Sequence, residues 1–126
     1  MPGPDPDALL KRAHKFAVWV ITFCRGIPRT DEAHDLGRQL RRAGTAVAAN
    51  YRAARRGRSH AAFTAKLAVV SEEADEAVHW LELIRDSGIA APADLPALLR
   101  EAYELRNIFG KAYGTAKLNR ERGYRR

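Results

Sequence analysis

Residues 63–84 read Phe63-Thr64-Ala65-Lys66-Leu67-Ala68-Val69-Val70-Ser71-Glu72-Glu73-Ala74-Asp75-Glu76-Ala77-Val78-His79-Trp80-Leu81-Glu82-Leu83-Ile84. Phe63, Leu67, Val70, Ala74, Ala77, Leu81 and Ile84 alternate steps of four and three, the spacing that keeps one apolar stripe along a helix. Ser59 stands where an N-cap belongs. Ser87-Gly88-Ile89 reads as the C-terminal stop, with Gly88 left-handed and Ile89 folded back on the last turn. The spacing therefore predicts a long helix, the third of the chain.

Upstream, Leu36, Leu40, Ala43, Val47, Asn50 and Ala54 carry the same rhythm on a second helix, capped by Thr30 or Asp31 and broken at Gly57. A first helix is expected from Asp7 to Arg25 on Leu9, Ala13, Phe16, Val20 and Phe23, ended by Gly26-Ile27-Pro28. Downstream, Asp94 is expected to cap a fourth helix with the stripe Leu95, Leu98, Ala102, Leu105, Phe109, Ala112 and Ala116. Four amphipathic helices with short connections and no strand signal predict an all-α, up-down-up-down antiparallel four-helix bundle. One domain is expected over 1–126, with 1–6 and 120–126 disordered and the tail fraying from Asn119.

The chain of 126 residues has a net charge of +7 and a pI near 10.1. Its charges are segregated. Leu36 to Ser71 holds Arg38, Arg41, Arg42, Arg52, Arg55, Arg56, Arg58 and Lys66 without an Asp or Glu, and Glu72-Glu73-Ala74-Asp75-Glu76 then reverses the sign. Such a balance points to a polyanionic partner, RNA or DNA before an anionic membrane. An equally simple reading is coding bias in a GC-rich genome, where Arg replaces Lys.

A hairpin turning at Gly57 to Ser59 sets residue 42 opposite 74 and residue 50 opposite 66. Arg41 and Arg42 thus become the expected partners of Glu72, Glu73 and Glu76. Arg52, Arg55, Arg56 and Arg58, with Lys66, are left for a phosphate backbone, or for a neighbouring subunit; a merely solvated charged face is the bland alternative. Asn50 in the second stripe is expected to be structural, fixing register as a lone polar core residue does. The start of the third helix is apolar almost all round, so a homo-oligomer is expected, with Val69, Trp80 and Leu83 at its contact.

Chemistry is harder to find. Cys24 is the single cysteine, which rules out an intrachain disulfide. Glu76-x-x-His79 is half of a di-iron bundle motif, but the further ligands such a site needs are missing, so neither metal nor cofactor is expected. No activated nucleophile, phosphate loop or dinucleotide fingerprint is present, and no enzyme is expected. No secretory signal or membrane-length apolar run is evident, which makes the cytoplasm the expected location.

The segment Leu40-Arg41-Arg42-Ala43-Gly44-Thr45-Ala46-Val47-Ala48-Ala49-Asn50-Tyr51-Arg52-Ala53-Ala54 resembles the signature of the small four helix bundle protein family. That family includes proteins encoded in intervening sequences of bacterial large-subunit rRNA genes. Ser59, Phe63, Lys66-Leu67, Glu72-Glu73-Ala74-Asp75-Glu76 and Trp80-Leu81-Glu82-Leu83 extend the likeness, which covers Phe16 to Gly88. The resemblance implies a ring-like homopentamer. It also implies kinship with basic pentameric accessory proteins of diversity-generating retroelements, which bind a reverse transcriptase and nucleic acid. Many members have Ser-Asn-Ile-Ala-Glu-Gly where this chain has Ala49-Asn50-Tyr51-Arg52-Ala53-Ala54. The expected function is a non-enzymatic oligomeric adaptor for RNA or DNA, beside a reverse-transcriptase-like protein. The alternative is an assembly protein whose arginines join subunits.

Overall fold

The structure, a computed structural model, describes residues 3–123. Four helices follow one another: α1 (Pro6–Arg25), α2 (Asp31–Arg55), α3 (His60–Ser87) and α4 (Leu95–Gly123), with no strand among the described residues. The starts of the first three are set by side chains. Asp5, Thr30 and Ser59 each accept a backbone N–H three residues on, from Ala8, Ala33 and Ala62, satisfying donors that have no partner inside the helix. Gly88, at φ 77°, ends α3 in the left-handed conformation that glycine adopts without strain.

Cross-helix contacts give the register. Asp7 meets Arg55, and Gly44 lies against Val20, across α1 and α2. Arg42 meets Glu73 and Glu76 across α2 and α3. Tyr103 meets Glu82, and Arg106 meets Asp75, across α3 and α4. Each helix runs antiparallel to its predecessor. α1 closes the bundle on α4 only lightly, through Arg12 to Glu101 at 2.6 Å and, just before α4, Trp19 Nε1 to Asp94 Oδ2 at 2.6 Å. The core between them is apolar: Phe16, Phe23 and Phe109 are fully buried, and Tyr51 stacks tilted on Phe109 at 5.1 Å.

The details depart from the expected stripes where the helices are longest. Tyr51, not Asn50, takes the inward position late in α2, and Thr64, not Phe63, takes it early in α3. The cause is a phase drift: a straight helix repeats every 3.6 residues, so a stripe stepping by 3.5 slides about 20° per heptad. Counting 3.6 at a time from Leu40 arrives at Tyr51 and Ala54. Asn50 is half-buried, and its Nδ2 donates to Ala46 O one turn back in the same helix at 2.9 Å; no hydrogen bond from its side chain to a second helix occurs among the described residues. Asp94 stands immediately before α4, its C=O accepting the Leu98 N–H at 2.9 Å, while its side chain accepts the Trp19 indole N–H. α4 runs on to Gly123, past Asn119 where fraying is expected; Met1, Pro2 and Tyr124 to Arg126, expected to be disordered, lie outside the described residues.

The all-round apolar character of α3 also has an internal explanation. α3 packs extensively on both α2 and α4, so two of its faces are covered within one chain. Val69 and Trp80 are half-buried and only Leu83 is exposed, at 39%.

Candidate nucleic-acid interface

Arg42 is the hinge of the charge distribution. Its guanidinium donates to Glu73 at 3.1 Å and to Glu76 at 2.8 Å, a fork that suits a planar cation between two carboxylates. Burial, then hydrogen bonding to Glu76, pushes the Glu73 carboxyl above its ordinary range. The bond from Glu73, then that from Arg42, holds Glu76 below its own. Asp75 turns the other way, to Arg106 at 3.5 Å. Three of the four acids in the cluster therefore have cations of the same chain; Glu72 stays exposed. Arg41 does not join them. It lines a hollow at the α1–α2 turn with Cys24, Arg25, Arg29 and His34.

The basic residues divide as well. Arg52, Arg56, Arg58 and Lys66 are exposed and make no ion pair among the described residues. Arg55 is engaged, donating to Asp7 Oδ1 at 2.8 Å, because antiparallel packing brings the acidic start of α1 over the end of α2. Arg52, Arg55 and Arg56 form one wall of a groove of about 780 Å³ between α1 and α2, and Lys11, His14 and Lys15 form the other. The floor is Leu10, Ala17, Ala48 and Ala49, and no carboxylate lines it. Arg58, in the turn after α2, and Lys66, on α3, lie outside this groove.

Lys11, His14 and Lys15 are absent from the sequence-based set. Their signal was present: Lys11 and Lys15 are one turn apart on a helix, and the α1–α2 register sets them beside residues 47–51. The α2–α3 hairpin by itself does not place α1.

Other chemistry is sparse. Cys24 is a free, half-buried thiol whose Sγ donates to Gly37 O at 3.4 Å, and burial raises its pKa. His79 is exposed and edge-on to Trp80, with centroids 4.8 Å apart. No group of three or more His, Cys, Asp or Glu able to hold a metal occurs among the described residues. No helix there is long and apolar enough to cross a membrane.

A family model described as 23S rRNA-intervening sequence protein matches residues 8–111, a span that takes in much of α4 as well as the signature segment. A crystal structure of a protein of unknown function from the S23 ribosomal protein family of Bacteroides thetaiotaomicron VPI-5482 is similar in fold. It is 22% identical, with a TM-score of 0.75 over 86% of this chain and 97% of that one. No curated protein matches the chain.

Proposed function

The chain belongs to the 23S rRNA-intervening sequence protein family, and we propose that it is a non-enzymatic helical bundle that binds the phosphate backbone of RNA or DNA through its basic face. The observation that carries this reading is the pairing of charges. Glu73, Asp75 and Glu76 are answered within the chain by Arg42 and Arg106, while Arg52, Arg56, Arg58 and Lys66 point into solvent unanswered by any described carboxylate. Exposed cations without counter-charges favour polyanion binding through counterion release. No Phe, Tyr or Trp lines the groove between Lys11 and Arg56, where the single ring is the imidazole of His14, which favours backbone contact over base readout. The family description, with its reference to rRNA, makes RNA the first probe to use.

Anisotropy of a labelled RNA across a salt series tests the reading. The logarithm of affinity should fall linearly with the logarithm of salt concentration. Arg52→Glu with Arg56→Glu should flatten that slope by about 0.7–0.9 per lost contact. Absence of binding to RNA and DNA near physiological salt would overturn it.

In the alternative, the same arginines join copies of the chain, and the double reversal would dissociate an oligomer seen by light scattering. The engagement of Asp75, Glu73 and Glu76 inside one chain leaves that reading Glu72 from the cluster, beside exposed Asp31, Glu32 and Asp35 at the start of α2. A homo-oligomer, pentameric by resemblance, with Val69, Trp80 and Leu83 at its contact, is a separate part of the proposal. It is supported by exposed Leu83, and a mass of 14.0 kDa in light scattering at micromolar concentration would count against it. A partner that itself holds RNA, such as a reverse transcriptase, would extend the same basic face.

A further inference from the structure

We infer that the groove between α1 and α2 seats the backbone of a single nucleic-acid strand, with Lys11 and Lys15 on one wall and Arg52 and Arg56 on the other. The inference rests on the proposed nucleic-acid function and assigns it a second wall and a strand type. The α1–α2 register, fixed by Asp7 against Arg55 and Val20 against Gly44, places Arg56 beside residue 6, Arg52 beside residue 10 and Lys15 beside residue 47. The four cations are thus spread along the groove over about nine residues of helix, or about 14 Å. They form a track with charge on both sides, not a single patch.

The groove is built to leave those charges open. Asp7, at its α1 end, is taken by Arg55 at 2.8 Å, and no carboxylate is among the lining residues. Ala17, Ala48 and Ala49 keep the floor low, so a chain of phosphates can descend between the walls. The axes of helices in contact lie about 8–10 Å apart. A duplex, whose two grooves together are about 16 Å deep, is too broad to enter a cleft between adjacent helices and would touch only the tips of the walls. A single strand fits within them. With no Phe, Tyr or Trp among the lining residues, the strand is held chiefly by its phosphates, so binding should be tolerant of sequence and steep in salt.

The test measures a labelled oligouridine, an oligothymidine of equal length and an RNA hairpin duplex against the whole protein at several salt concentrations. The single strands should bind at least about tenfold tighter than the duplex, with a salt slope near 3, as four phosphate contacts at about 0.7 each imply. Lys11→Glu with Lys15→Glu should weaken single-strand binding at least about tenfold and lower the slope by about 1.4, with helical content and melting temperature unchanged. Lys11→Gln with Lys15→Gln should give a smaller loss in the same direction, and serves if the reversal unfolds α1. Unchanged binding in both Lys pairs, while Arg58→Glu with Lys66→Glu weakens it, would overturn the groove and leave the basic-face function standing. Equal affinity for the duplex would overturn the single-strand assignment. Failure of the wild-type protein to bind any of the three would overturn both.

Discussion

Gly44 lies so close to Val20 that a Cβ on it would stand 2.9 Å from Val20 Cγ2 and 3.0 Å from Cγ1. The α1 and α2 backbones approach there because nothing intervenes. Val20 is completely buried and β-branched, so it has little freedom to move aside. Gly44→Ala gains about 1 kcal/mol in helix propensity, but overpacking costs about 1–3 kcal/mol. A net loss of up to about 2 kcal/mol is expected in urea unfolding followed by circular dichroism. A more stable variant would show that the two helices can separate freely.

Removing Arg42 leaves the Glu73 and Glu76 carboxylates facing each other. Arg42→Ala should lower stability by about 0.5–1 kcal/mol at pH 7, the range of a well-formed surface pair. The sign with pH follows from Glu76. Its pKa in the folded chain is depressed, so its contribution is present above its unfolded pKa and lost as pH falls through the folded one. Glu73, raised chiefly by burial, opposes folding at neutral pH, and more so once Arg42 is gone. The gap between variant and wild type should therefore narrow as pH drops from 7 into the acid range. A gap that widens on acidification would contradict the assignment.

Cys24 should be a slow thiol. Burial raises its pKa above the ordinary value, and its S–H is engaged with Gly37 O, so thiolate is scarce at neutral pH. Modification by a disulfide reagent at pH 8 should be clearly slower in the folded protein than in urea, since burial both raises the thiol pKa and limits access to the sulfur. Equal rates would mean that the α1–α2 turn opens readily.

The light contact between α1 and α4 depends on polar links. Trp19→Phe removes the indole donor to Asp94 while keeping an aromatic ring. A loss of about 1 kcal/mol is expected, the value of a typical hydrogen bond, measured as a shift in the urea midpoint. An unchanged midpoint would mean that water replaces the bond without cost.

The helices, their caps at Thr30 and Ser59 and the left-handed Gly88 were legible because each is a local signal, readable within a few residues. Inward phase was less so. Asn50 and Phe63 satisfy a 3.5-residue rhythm, and only the pitch of a straight helix carries the core to Tyr51 and Thr64. The apolar surplus on α3 was visible, but a sequence does not say whether a second chain or a second helix of the same chain covers it. The basic groove was half legible. Arg52 and Arg56 stand out in a run without acids, whereas Lys11 and Lys15 acquire meaning only once antiparallel packing sets α1 beside α2. Asp7 likewise shows its bond to Arg55 only in three dimensions.

One wall of the proposed groove belongs to the least anchored helix. α1 rests mainly on α2 and touches α4 lightly, so its detachment is the cheapest large opening of the bundle. A strand bound across Lys11, Lys15, Arg52 and Arg56 would bridge α1 to α2 and disfavour that opening by RT ln(1 + [L]/Kd). Amide hydrogens of α1 should then exchange more slowly with ligand present, while those in the middle of α3 change little. In this fold, occupancy and local unfolding are two readings of one equilibrium, and the first helix is its gauge.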